Sequence, residues 1–192
     1  MKALVYTGVE TLNLCDVPDP VAGDGEVLVK IDSVGICGSD MHAFLGHDAR
    51  RPAPLILGHE AAGVIVGGAS DGVRVTLNPL VACGSCRACR AGRDNLCPKR
   101  QIISMPPREG GFAQFVAISE ANTVAVPAEV SLEKASLAEP IACGWHAVRL
   151  AQEALDVTLQ TARCLVIGGG AIGVGAALSL RAAGATEIMV SE

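Results

Sequence analysis

Aromatic side chains are scarce in this chain: one Trp, one Tyr and three Phe among 192 residues. An interior without them must be built from Val, Ala, Leu and Ile, which favours short strands and closely packed helices. Charge of one sign never runs together. The 15 basic and 20 acidic residues are dispersed, and a net charge of −5 leaves no footprint for a nucleic acid. Long apolar runs are missing as well. Residues 164–180 carry no charge and include Gly169-x-x-x-Gly173, yet the stretch is short for a bilayer span and its early glycines interrupt a helix. The first residues, beginning Met1-Lys-Ala-Leu-Val, lack the apolar core of a signal peptide, so a cytoplasmic location is expected.

Cysteine, by contrast, is plentiful. Four of the eight, Cys83, Cys86, Cys89 and Cys97, follow the spacing C-x2-C-x2-C-x7-C among small, polar and basic neighbours. Four thiolates from one loop suit a closed tetrahedral Zn²⁺ site, which keeps no position open for a substrate. Such binding contributes about 10–16 kcal/mol, enough to order a lobe that has no core of its own. The plainer readings are a disulfide cluster or unrelated buried thiols, but nothing here suggests an oxidising compartment. A thiol redox protein built on Cys83-x-x-Cys86 would need exposed thiolates of low pKa.

The chain changes character twice. Residues 3–6, 27–34, 61–66, 74–77, 112–118 and 123–126 read as strands separated by Gly, Pro and Asp, the pattern of a barrel or sandwich. Residues 48–54 and 79–108 are long and irregular, as functional or metal-ordered loops are. After Pro127, residues 131–137 and 141–153 read as helices, with Pro140 at a helix start. Residues 163–167, 171–183 and 187–191 then form a βαβ unit whose helix stops at Gly184.

Within that unit, Gly168-Gly-Gly170-Ala171-Ile172-Gly173 follows the first strand and opens the helix. In this setting the first glycine makes the tight turn, the second lets the backbone approach a pyrophosphate, and the third allows helix–strand packing. The helix N-terminus adds free N–H groups and the positive end of its dipole. Glu192, at the end of the second strand, suits the ribose hydroxyls and repels a 2′-phosphate, favouring NAD over NADP. The plainer alternatives are a packing turn and an ordinary exposed carboxylate.

A second metal constellation lies upstream. Cys37-Gly-Ser39-Asp40-Met-His42 places a thiol, a hydroxyl, a carboxylate and an imidazole within six residues, and His59-Glu60 follows. Glu139 precedes Pro140. One Cys, one His and one or two carboxylates make a mixed site that keeps a coordination position open, as catalytic zinc requires. Taken singly, Cys37 reads as a buried thiol and His59 as a core histidine; together they point to a metal.

With these motifs in this order, the chain resembles the zinc-dependent medium-chain dehydrogenase/reductase family of alcohol, polyol and threonine dehydrogenases. Gly58-His-Glu-Ala-Ala-Gly63 and Gly110-Gly-Phe-Ala113 add to the likeness. The resemblance implies mixed β and α/β architecture: a GroES-like β-barrel domain at 1–155, with its structural zinc lobe at 79–108, then the first βαβ part of an NAD-binding Rossmann fold at 156–192. It implies two zinc ions per chain. Cys83, Cys86, Cys89 and Cys97 would hold the structural one. Cys37, His59 and Glu139 would hold the catalytic one, with Glu60 a direct ligand or one that exchanges with water, and Asp40 orienting His59. Zinc would lower the pKa of a bound alcohol, Ser39 would take its proton and pass it through the ribose toward His42, and a hydride would leave to the nicotinamide. Expected partners are small alcohols, polyols or amino alcohols, with no nucleic acid or membrane, and a homo-oligomeric full-length form. The turn at 67–72 lacks the family's usual acid before Val73-Arg74-Val75, and family members run further, so weak activity is expected of these 192 residues alone. A non-catalytic, zinc-stabilised module is the alternative from another functional class.

Overall fold

A hairpin comes first, and its leading strand carries the apolar run Ala-Leu-Val-Tyr. β1 (Lys2–Gly8) buries Ala3 and Val5 on one face and Tyr6 on the other, and pairs with β2 (Thr11–Asp16) on one edge. The computed structural model describes residues 1–192. β3 (Glu26–Gly35) leads into a short helix, α1 (Gly38–Phe44), and β4 (Leu55–Ile56) then joins the free edge of β1. β5 (Glu60–Val66) and β6 (Arg74–Leu77) follow.

Next comes the cysteine lobe. β7 (Leu80–Val81) opens it, α2 (Arg87–Arg90) lies inside it, and β8 (Gln101–Ile102) closes it. β9 (Phe115–Ser119) and β10 (Thr123–Ala125) complete an antiparallel five-stranded sheet in the order β10-β6-β5-β3-β9. Its core is aliphatic: Val29, Ile65, Val75, Leu77, Val116 and Ile118 pack with Ile103, which follows the lobe. Burying each such side chain contributes roughly 1.5–3 kcal/mol. α3 (Leu132–Ala135), capped by the Ser131 hydroxyl, closes this first unit, Met1–Ser136.

The second unit, Leu137–Glu192, holds α4 (Ala138–Leu155), β11 (Arg163–Ile167), α5 (Ala171–Ala182) and β12 (Glu187–Ser191). β11 and β12 run parallel, from Arg163 opposite Glu187 to Ile167 opposite Ser191, as the βαβ reading requires. α4 meets α5 closely, because a Cβ on Gly144 would overlap the backbone at Gly175 and Ala176.

Two features differ from the sequence expectations. α1 is an unforeseen helix over the Cys37–His42 motif. The strand expected at 112–118 is divided: Ala113 bridges Ala3 and Phe112 accepts from Leu4, whereas only β9 pairs with β3. By contact the chain divides into compact units at Ser136/Leu137, with α4 packed on α5 within the second.

Candidate metal and nucleotide sites

The lobe gathers its sulfurs at the distances that one ion requires. Cys86 Sγ lies 3.4 Å from Cys89 Sγ, and Cys83 Sγ 4.0 Å from it. Two thiolates bound at ~2.3 Å to a tetrahedral ion stand about 3.8 Å apart, whereas a disulfide needs ~2.05 Å. All eight cysteines are free, and the four of the lobe form one ligand group. The backbone already serves the sulfurs: the Cys89 amide donates to Cys86 Sγ and the Cys83 amide to Cys97 Sγ, each at 3.5 Å.

Crowded thiols do not ionise alike. The Ser85 and Cys86 amides draw the Cys83 thiol down to about 6. The Cys89 amide lowers Cys86, while burial and the neighbouring thiols push Cys89 up to about 12. The donor set therefore fits a zinc ion, whose positive charge offsets four thiolates together.

The second group is assembled from α1 and the start of β5. Cys37 caps α1 in an extended conformation, and its N–H donates to Asp40 Oδ2 at 3.0 Å. Asp40 Oδ1 accepts from the Gly58 amide at 3.0 Å and faces His59 Nδ1 at 3.6 Å. Burial by itself would raise the Asp40 carboxyl. The facing His59 ring and the amides of Cys37 and Gly58 outweigh it, holding the group below its ordinary value.

Cys37, His59 and Glu60 then offer ligand atoms all within 4.8 Å of one another, with His59 and Glu60 each 7% exposed. A thiol, an imidazole and a carboxylate in that space could hold a divalent ion and leave a position for another ligand. Room for Glu60 comes from β3. A register shift between Ile31 and Ser33 brings Gly35 opposite Glu60, and a Cβ at Gly35 would overlap the Glu60 carboxylate.

Ser39 is half-buried on α1, and His42 is exposed one turn further on, its ring 6.3 Å from that of His47. Glu139 lies in the first turn of α4, in the second unit, and is not among the three residues of this group. The sequence reading missed Gly35, whose only signal is its place two residues before Cys37. It also missed Ser104, whose Oγ lies 3.3 Å from His59 Nδ1; no motif marks it.

In the second unit the Gly-rich turn has a backbone that only glycine accommodates. Gly168 has φ +99°, and a Cβ on Gly173 would overlap the Gly168 carbonyl. Gly170 faces open space, leaving the N-terminus of α5 approachable. Ala171 and Ile172 are exposed in the first turn of α5, and the Gly169 amide donates to Glu192 Oε2. No helix is long and apolar enough to cross a membrane.

Residues 23–128 match the family profile described as the alcohol dehydrogenase GroES-like domain. The chain is 37% identical to the sorbitol dehydrogenase of Bacillus subtilis, covering 100% of this chain and 56% of that protein. It is 40% identical to the L-galactonate-5-dehydrogenase of Escherichia coli, covering 88% and 50%. A solved Escherichia coli oxidoreductase/dehydrogenase of unknown specificity shares 32% of its residues and superposes with a TM-score of 0.91, over 100% of this chain and 57% of that one. The chain thus spans about half the length of the curated relatives it matches.

Proposed function

This chain belongs to the medium-chain dehydrogenase family, whose alcohol dehydrogenase GroES-like domain it carries, and from that premise we propose that it serves a zinc-dependent, NAD-linked oxidation of an alcohol, polyol or amino alcohol. The observation that carries this reading is the gathering of Cys37, His59 and Glu60 within 4.8 Å. These residues would hold the catalytic ion, and the four lobe cysteines would hold the structural one. When bound, zinc supplies Lewis acidity toward a substrate hydroxyl and NAD supplies the hydride acceptor.

The chain's own residues do the remaining work. Asp40, held ionised by two amides, orients the His59 ring. Ser39 Oγ takes the hydroxyl proton, and His42, exposed at i+3 on the same helix, releases it to solvent. The N–H groups at the start of α5 bind a pyrophosphate. Glu192, anchored beside Gly169, accepts from ribose hydroxyls and repels a 2′-phosphate, which favours NAD. Sorbitol and galactonate relatives support the polyol class.

The four lobe cysteines form a complete ligand group by themselves, and that favours a second reading, a non-catalytic zinc-stabilised module. Elemental analysis separates the two. The dehydrogenase reading expects two zinc ions per chain, falling to one in Cys37→Ser, and NADH formation with a polyol or amino alcohol from the full-length protein. A single zinc that Cys37→Ser leaves in place would sink it.

A further inference from the structure

Ser104 stands outside every motif, yet it is fully buried and holds its backbone at φ +67°, a region that side-chain-bearing residues rarely adopt. Its hydroxyl oxygen lies 3.3 Å from His59 Nδ1, closer than Asp40 Oδ1 at 3.6 Å. A clamp holds it from behind. Arg51 Nε donates to the Ser104 carbonyl at 3.0 Å, and Arg51 Nη1 donates to Asp48 Oδ2 at 2.5 Å. The side chains of Arg51 and Asp48 are 5% and 8% exposed, so this pair is no loose surface contact. Arg50 binds Asp48 from the outer side, and the two guanidiniums keep the Asp48 carboxyl well below the usual carboxylate range.

We propose that Ser104, clamped by Arg51 and Asp48, is a positioning residue for His59: its Oγ accepts the Nδ1 proton and leaves Nε2 as the metal-facing nitrogen. This rests on the metal-centre reading above. The physical reason is tautomeric. A neutral imidazole carries one N–H, and the group that accepts it decides which nitrogen keeps its lone pair. Asp40 alone is beyond ordinary hydrogen-bond distance of Nδ1. The nearer hydroxyl completes the hold on the ring, and it reaches that place only because its backbone is kept left-handed.

A merely structural Ser104 makes the opposite forecast, which gives the test its edge. Glycine accepts φ +67° more readily than serine, so Ser104→Gly relaxes the backbone while deleting the hydroxyl. Ser104→Ala deletes the hydroxyl and keeps the backbone demand. The experiment titrates Co²⁺ into the metal-free 192-residue chain against a chelator, with Cys37→Ser giving the signal of the cysteine lobe alone. Urea unfolding is measured alongside. We expect both variants to bind the second Co²⁺ about 10-fold or more weakly, with Ser104→Gly no less stable than the parent. Parent-like affinity in either variant overturns the positioning role and leaves the metal centre standing. No Co²⁺ signal in the parent beyond that of Cys37→Ser overturns the metal centre and the positioning role with it.

Discussion

The absence of a side chain at Gly35 matters as much to the Cys37–His59–Glu60 group as any ligand. Its hydrogen atom faces the Glu60 carboxylate across the β3–β5 pair, where a methyl group has no space. Gly35→Ala should therefore push Glu60 off its present rotamer, at about 1–3 kcal/mol of stability. It should also weaken the second metal by roughly tenfold. Metal titration and urea unfolding check both, and an unchanged affinity would mean that Glu60 does not help to hold the ion. The sequence displays residue chemistry more readily than such spatial fits. Cys37, His59 and Glu60 could be picked out because thiol, imidazole and carboxylate are rare together. Ser104 could not, because its approach to His59 spans 45 positions and depends on a backbone angle that no side chain announces.

Elements were legible where a pattern repeats. β6 alternates apolar and polar residues, whereas β11 is an unbroken apolar run after Arg163 that stops at the Gly-rich turn, and their bounds follow from those patterns. α1 has seven residues, opens with Gly38 and buries only Asp40 and Ala43, so it offers no period to read. The cysteine lobe has no apolar pattern either; its order comes from sulfur. α2 is one turn long and buries nothing. Chelation should accordingly release the lobe while the barrel strands stay protected. Hydrogen exchange would show it: the amides of Cys89 and Cys97 lose protection on metal removal, while those of Val29 and Ile118 keep theirs. Loss with a reductant, and none with a chelator, would favour disulfides instead.

Across the whole molecule the shortage of aromatic residues has a measurable price in robustness. The main core depends on many medium-sized side chains, with Val29 and Ile118 both fully buried and facing each other's strands in the β3–β9 pair. Ile118→Ala should lower the stability of the first unit by about 2–5 kcal/mol, read from the urea midpoint at unchanged slope. A loss below 1 kcal/mol would mean that the surrounding strands collapse into the space. The same architecture separates what must be kept from what can vary. The lobe leaves the barrel through Val81 and returns through Gln101, and these two residues are directly paired. A detour that starts and finishes at one ladder rung can be lengthened, shortened or replaced over generations without moving the strands on either side. By this geometry the cysteine lobe is a detachable clause, whose length can change without displacing the rung that joins Val81 to Gln101.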